Sequence, residues 1–287
     1  MTGDYPGAAR DLEEALGISR DIGDRLGQVT ALYFLGDARL LTGDHPGAAR
    51  DLEEALGISR DAGYRLGQAD TLSSLGKVRQ LTGDYPGAAR DLEEALGIHR
   101  DIGHRFGQAN ALTSLGKVRR ATEDYQGAIG DLEEALAIYR DIGNRLGQAN
   151  ALRELGSVRV LTGDYPGAAR DLEEALGMHR DIGDRNGEVD ALNETGMLHR
   201  VRGDLRQAGS CHQQALDLAR QMGNTWGEAH ALAGLGRCAL AAGRTATAGD
   251  SLRQALDIFQ RIGAAETTQV SAEIQALTDT PATTQGT

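Results

Sequence analysis

A period of forty residues governs this chain. Thr2–Asp21 reads TGDYPGAARDLEEALGISRD, and Thr42–Asp61 repeats it with His45 in place of Tyr5. Thr82–Asp101 and Thr162–Asp181 are near copies; Thr122–Asp141 is looser, TEDYQGAIGDLEEALAIYRD. Beyond Arg200 the copies drift but hold register through Gly203-Asp204, Ala208 and Ala215-Leu216. A period of this size means one small supersecondary unit used again and again, because such a unit cannot bury its apolar face alone.

Each unit reads as two helices. In Val29–Gln68, Leu32, Leu35, Ala38 and Leu41 recur at helical spacing. Thr42-Gly43-Asp44 breaks the pattern as a turn. Pro46 suits the first turn of a second helix, where its missing N–H costs nothing. Ala48, Leu52, Ala55, Leu56 and Ile58 make that helix's apolar stripe. Gly63 fits a C′ position with positive φ, and the following slot carries Asn144, Asp184 and Asn224 in other copies, all good N-caps. Gly36, Gly76, Gly116, Gly156, Gly196 and Gly236 recur mid-helix, where glycine costs about 0.5–1 kcal/mol against alanine, so a close helix crossing is expected at each. Arg39, Arg79, Arg119 and Arg159 are expected to lay their stems between helices and reach an acid of the DLEE run.

Leu35-Gly36, Gly43-Asp44, Ala48 and Ala55-Leu56 resemble the tetratricopeptide pattern, in a form with six residues more than the standard unit of about 34. The extra segment, such as Gly63–Gln68, is expected to lengthen the connection and the start of the next helix. This longer form, with G-(D/N)-R-x-G-(Q/E) ahead of each first helix, looks like the C-terminal arrays of bacterial signal-transduction ATPases and antibiotic regulators, and like animal spindle-orientation scaffolds. The first-helix aromatics of the family are absent, with Leu32 and Arg39 in their places. The resemblance implies an all-α, TPR-type solenoid of antiparallel helix pairs in a right-handed superhelix. The expected layout is a second helix without its first over 1–28, six units over 29–268, and a short covering helix at 269–277 with a frayed tail over 278–287. Opening in mid-repeat, the chain reads as a fragment or one piece of a longer array.

Composition narrows the function. The net charge is −12, which opposes binding to nucleic acid through phosphates. No apolar run approaches a membrane span, and the start lacks the features of a signal peptide, so the expected compartment is the cytoplasm. Cys211 and Cys238 have no C-x-x-C partner and read as structural thiols. No phosphate loop, nucleophile elbow or H-E-x-x-H occurs, so no catalytic residue, metal or cofactor is assigned. His99 and His179 share a repeat slot with Ser59 and Tyr139 and read as variation on a solvated face. Asp51-Leu52-Glu53-Glu54 recurs too often to be a catalytic dyad; it reads as a solvated surface with Arg50 and Glu54 paired at i,i+4.

The repeats can be compared with one another. Among the four units from Val29 to Glu188, changes concentrate at five first-helix positions that share one face. In the resembled family that face lines a concave groove that holds peptides. The residues are Tyr33, Phe34 and Asp37, then Asp70 and Lys77, then Asn110, Lys117 and Arg120, then Asn150, Arg153 and Glu154, with Asn193 and Arg200 in the next unit. Over six units the five positions sum to +1 in a chain of −12, so a basic, amide-rich strip is expected inside an acidic shell. Tyr33, Phe34 and Leu40 are expected to make an apolar pocket beside it. The competing account is that inter-repeat salt bridges hold the second helices constant while the groove drifts. The expected function is a non-enzymatic scaffold that takes a protein or peptide segment of acidic character, as the sensor or interaction arm of a larger regulator. The alternative is a self-associating structural module stacked through its N-terminal end.

Overall fold

The computed structural model describes Tyr5–Asp279. The chain divides into two compact units, one ending at Gly147 and the other opening at Gln148. The first holds α1 (Tyr5–Asp21), α2 (Arg25–Leu41), α3 (His45–Asp61), α4 (Arg65–Leu81), α5 (Tyr85–Asp101), α6 (Arg105–Ala121) and α7 (Tyr125–Asp141). Helix α8 (Arg145–Thr162) crosses the boundary. The second holds α9 (Tyr165–Ile182), α10 (Arg185–Val201), α11 (Leu205–Met222), α12 (Thr225–Ala241), α13 (Thr245–Ile262) and α14 (Glu266–Asp279). Among the described residues there is no strand, and each unit is a stack of consecutive helices, as a TPR-type solenoid requires. The tail expected to fray lies, from residue 280 on, outside the described residues.

Capping sets where the helices begin. The carboxylates of Asp44, Asp84, Asp124 and Asp164 each accept the N–H of the residue three ahead at 3.0 Å, which satisfies one of the open donors at the helix start. Asn144, Asp184 and Asn224 do the same at the first helices, at 2.7, 3.1 and 2.8 Å. Helix α4 starts at Arg65 without a side-chain cap from Tyr64, so most of the extra segment is helix and the connection is only Ala62-Gly63-Tyr64. Gly63 takes φ 64°, as its turn position demands. Glu123, standing where other copies have glycine, is held at φ 64°.

Packing explains the retained residues. A Cβ on Gly36, Gly76, Gly116, Gly156 or Gly236 would stand 2.5–2.8 Å from the Cγ of Leu52, Leu92, Leu132, Leu172 or Leu252. The missing methyl lets the two helices of a pair close on one leucine, which is why glycine persists there. At Gly196 the facing residue is His212, at 2.7 Å. The arginine one turn later pins the same pair. Arg39 donates to Asp51 at 2.6 Å and Arg119 pairs with Asp131 at 2.7 Å; Arg79–Asp91 and Arg159–Asp171 repeat the contact. Arg39 also reaches Glu13 at 3.0 Å, one repeat back.

Glu54 does not pair with Arg50. It takes Arg20 of the preceding repeat at 2.5 Å, as Glu94 takes Arg60 at 2.8 Å and Glu134 takes Arg100 at 2.7 Å. A second ladder joins Arg25 to Asp61, Arg65 to Asp101 and Arg105 to Asp141, at 2.7–3.0 Å. The D-L-E-E sequence is thus spent on an intra-pair ion pair, a core leucine and inter-repeat ion pairs. Its constancy has a structural cause and carries no weight in locating function.

Helix α14 covers the end of the second unit. Val270 is fully buried, Ile274 packs on the core, and Glu273 receives Arg237 at 2.9 Å. It starts at Glu266, three residues before the expected position.

Candidate functional site

The variable first-helix positions behave differently in the two units. In the first unit, Tyr33 (α2), Asp70 and Lys77 (α4) and Asn110 (α6) line one cavity of about 220 Å³. Asp37 stands beside it and accepts the Ser74 hydroxyl at 3.0 Å. Burial, with the charge of Asp37 added, pushes the Tyr33 phenol up to about 12, so it remains a donor at neutral pH. The Asn110 carbonyl accepts the Tyr139 hydroxyl at 2.6 Å, which fixes the amide. Lys77 is exposed, while Lys117 and Arg120 are half-buried and do not line this cavity.

A second space of about 200 Å³ opens against Tyr33 and the exposed ring of Phe34, which meet edge to face at 5.3 Å. Its remaining apolar wall is Val29 and Tyr64. Leu40, expected in this pocket, instead packs on the core around Leu52 and Leu75.

In the second unit the same face is largely closed by its own charges. Arg153 lies against the buried Glu154 at 2.8 Å. Burial works against the Arg153 charge, but Glu154, Asp190 and Glu194 outweigh it, so the guanidinium is held more firmly protonated than usual. It is an internal ion pair, not part of an open basic strip. Asn150 is half-buried on the same helix. Asn193 and Arg200 line a smaller cavity, about 90 Å³, with Glu194, Arg237 and His212. The buried His212 meets the Asn193 amide oxygen through Nδ1 at 3.1 Å. Burial, then the charges of Arg200 and Arg237, push its pKa down to about 4.

The histidines overturn the reading of a solvated face. His99 and His179 are 1% and 0% exposed. Each sits four residues after a buried alanine of its stripe (Ala95, Ala175), so it continues the stripe inward. The slot reaches the first helix of its own pair: His99 Nε2 lies 3.8 Å from Asp70, Tyr139 bonds Asn110, and Phe259 meets His230 with ring centroids 5.2 Å apart. Glycine on the following helix makes the room, since a Cβ at Gly107, Gly147 or Gly187 would collide with His99, Tyr139 or His179. The spacing Ala88, Leu92, Ala95, His99 carried this signal, and the slot's varied occupants obscured it.

These stacked helix pairs define a helical-repeat array. Tetratricopeptide repeat profiles match residues 2–63, 67–141, 107–181 and 188–261, and the chain belongs to the tetratricopeptide repeat family. That family is typically a non-catalytic interaction module. No curated protein matches the sequence. Solved structures share the fold. The apo form of RapI is 12% identical with a TM-score of 0.77, over 91% of this chain and 93% of that one. A Rap protein complexed with competence and sporulation factor is 13% identical with a TM-score of 0.68, over 94% and 85%. A signal-transduction ATPase with a tetratricopeptide repeat sensor from Pyrococcus horikoshii is 17% identical with a TM-score of 0.65, over 96% of this chain but 44% of that one. Among the described residues no helix is long and apolar enough to cross a membrane.

Proposed function

We propose that the chain is a protein-binding scaffold, and that the variable first-helix face of its first unit takes a peptide segment from another protein. The observation that carries this is the convergence of Tyr33, Asp70, Lys77 and Asn110, from three successive first helices, on one cavity beside the exposed Phe34. The cavity offers a phenol, an ammonium group and an amide, the groups that read peptide carbonyls and carboxylates. The aromatic space at Tyr33 and Phe34 suits one apolar anchor. The frame is pre-organised by the glycine crossings and arginine pins, which lowers the ordering cost of binding. Rap bound to its factor and the tetratricopeptide sensor of the ATPase support the same use of the fold, including the role of an arm in a larger regulator. Lys77 and Lys117, the only lysines of the chain, favour an acidic segment.

The test is capture of partners from the source cell by the protein and by two charge-matched variants. Lys77→Glu with Lys117→Glu should weaken the captured interaction about tenfold or more at low salt and flatten its salt dependence. Arg50→Glu with Arg90→Glu, on the exposed side of the second helices, should change it little. The reverse pattern would place function on the second helices. A self-associating module is the second reading, favoured by Ile18, Ile22 and Leu26, which are 55%, 70% and 53% exposed on α1, the turn after it and α2. Light scattering over a concentration series distinguishes it, since a single mass at all concentrations removes it.

A further inference from the structure

We propose that Asp70, His99 and His104 in the first unit form a binding site for one divalent transition-metal ion, Zn²⁺ being the ion used to test it. The three residues come from α4, from α5 and from the turn ahead of α6. One ligand atom from each lies within 4.8 Å of the other two. His99 Nδ1 stands 3.2 Å from His104 Nδ1. Two nitrogens bound to one tetrahedral ion at about 2.0–2.1 Å stand about 3.3 Å apart, so the imidazoles are already at ligand spacing. The Asp70 carboxylate lies 3.8 Å from His99 Nε2 and its side chain is 39% exposed, which leaves it room to turn toward the pair.

Independent features of the repeat point the same way. The position of His104 is an N-cap slot, and Asn144, Asp184 and Asn224 fill it with side chains that cap their helices. His104 makes no capping bond and turns to His99 instead. Gly107 makes the space, since a Cβ there would collide with His99 and His104 at their Nδ1 atoms. The same three positions one repeat on are Asn110, Tyr139 and Asn144: Tyr139 bonds Asn110, Asn144 caps its own helix at Gly147, and none of the three is an imidazole or a carboxylate.

The donor set is two imidazoles and one carboxylate without a thiolate, which suits Zn²⁺, Co²⁺ or Ni²⁺ better than Ca²⁺ or Mg²⁺. His99 is buried, and its imidazole supplies one nitrogen donor of the set. Lys77 lines the same cavity as the three residues. A fourth coordination position would face that cavity toward Ser73, Ser74 and Asn110, open to water or to a ligand carboxylate. This proposal stands apart from the peptide reading and survives its failure.

The test uses the full chain without an affinity tag, freed of metal, titrated with Zn²⁺ in competition with a chromophoric chelator. Co²⁺ substitution, read by its visible absorption, reports the geometry. The variants are Asp70→Asn, His99→Tyr and His104→Asn, each the residue the chain already carries forty positions later. The expected result is one Zn²⁺ per chain, a Zn²⁺-dependent rise in melting temperature, and at least a tenfold loss of affinity in each variant. His230→Asn, in the second unit, should leave the titration unchanged. No zinc bound at tens of micromolar protein would overturn the proposal, as would affinity that the three variants leave intact or that His230→Asn removes. Circular dichroism shows which variants keep native helicity, and any one that does so decides the outcome.

Discussion

His99 in the first unit and His179 in the second occupy one slot of the repeat, and their surroundings differ. His99 faces another imidazole, His104, and lies 3.8 Å from the Asp70 carboxylate. His179 puts Nδ1 2.9 Å from the Asp184 carboxylate, which also caps α10. The surface ion pairs differ as well. In the first unit Arg60 and Arg100 reach across to the next repeat, to Glu94 and Glu134. In the second, Arg180 and Arg220 fold back to Glu188 and Glu228 at 2.7 and 2.8 Å. Gln214 has replaced the acid that Arg180 would have met, and Glu188 stands where the earlier repeats have Gln68 and Gln108. The backbone frame is common to both units because the crossing glycine is kept throughout, although in the second unit the facing leucine becomes His212 at one crossing and the arginine becomes His199 and Ala239 in the last two repeats.

The largest effect should come from the shared frame. Gly116→Leu in the first unit and Gly236→Leu in the second each overfill a crossing against one leucine, and each should cost about 1–3 kcal/mol by denaturant unfolding. Similar losses are expected; a negligible loss in either would mean that the crossing is not what holds that unit together.

The next effect separates the units by pH. The first unit has Leu52, Leu92 and Leu132 under its crossings, whereas the second has His212 between Leu172 and Leu252. An unfolded histidine titrates near 6.5, and folded His212 is pushed down to about 4. Between those values the unfolded chain binds more protons, so the contribution of His212 to stability is complete above about pH 6.5 and is lost as pH falls toward 4. His212→Leu restores the leucine of the other repeats and should reduce the acid loss by on the order of 2 kcal/mol at pH 4.5. Unfolding curves of both proteins at pH 7 and 4.5 check this, and equal acid losses would remove His212 as the cause.

The smallest effect concerns the surface ladders. Glu94→Gln gives the first unit the amide of the second and should cost only about 0.2–1 kcal/mol, less in high salt, since both partners are about half exposed. Gln214→Glu supplies the acid missing opposite Arg180 and should change stability by no more than that. A loss well above 1 kcal/mol would show the ladders to be more than surface pairs.

Much of the fold was legible before any coordinates. The turn glycines, the capping acids, the glycine–leucine crossing and the arginine pin follow from residue type and spacing, because each acts within one helix pair about twelve to sixteen residues apart. The site was less legible. Tyr33, Asp70, Lys77 and Asn110 were found by comparing repeats and do share one cavity. Arg153 and Glu154 were placed on the same strip, but each neutralises the other inside the second unit. A helical wheel assigns residues to a face; it does not say whether the neighbouring side chain is an adjacent acid or open space.

The sequence by itself determined the repeat, the helix pair, its caps and its internal pins, all of them consequences of short-range spacing and of the hydrophobic stripe. Only the tertiary structure decided which slots meet across helices. It set His99 against Asp70, twenty-nine residues earlier, and against His104 over the bare backbone of Gly107. It also turned the second-helix acids into links between repeats. Those contacts depend on how far each side chain reaches past its own helix and on what a neighbour leaves empty, and neither quantity is written in the period of the chain.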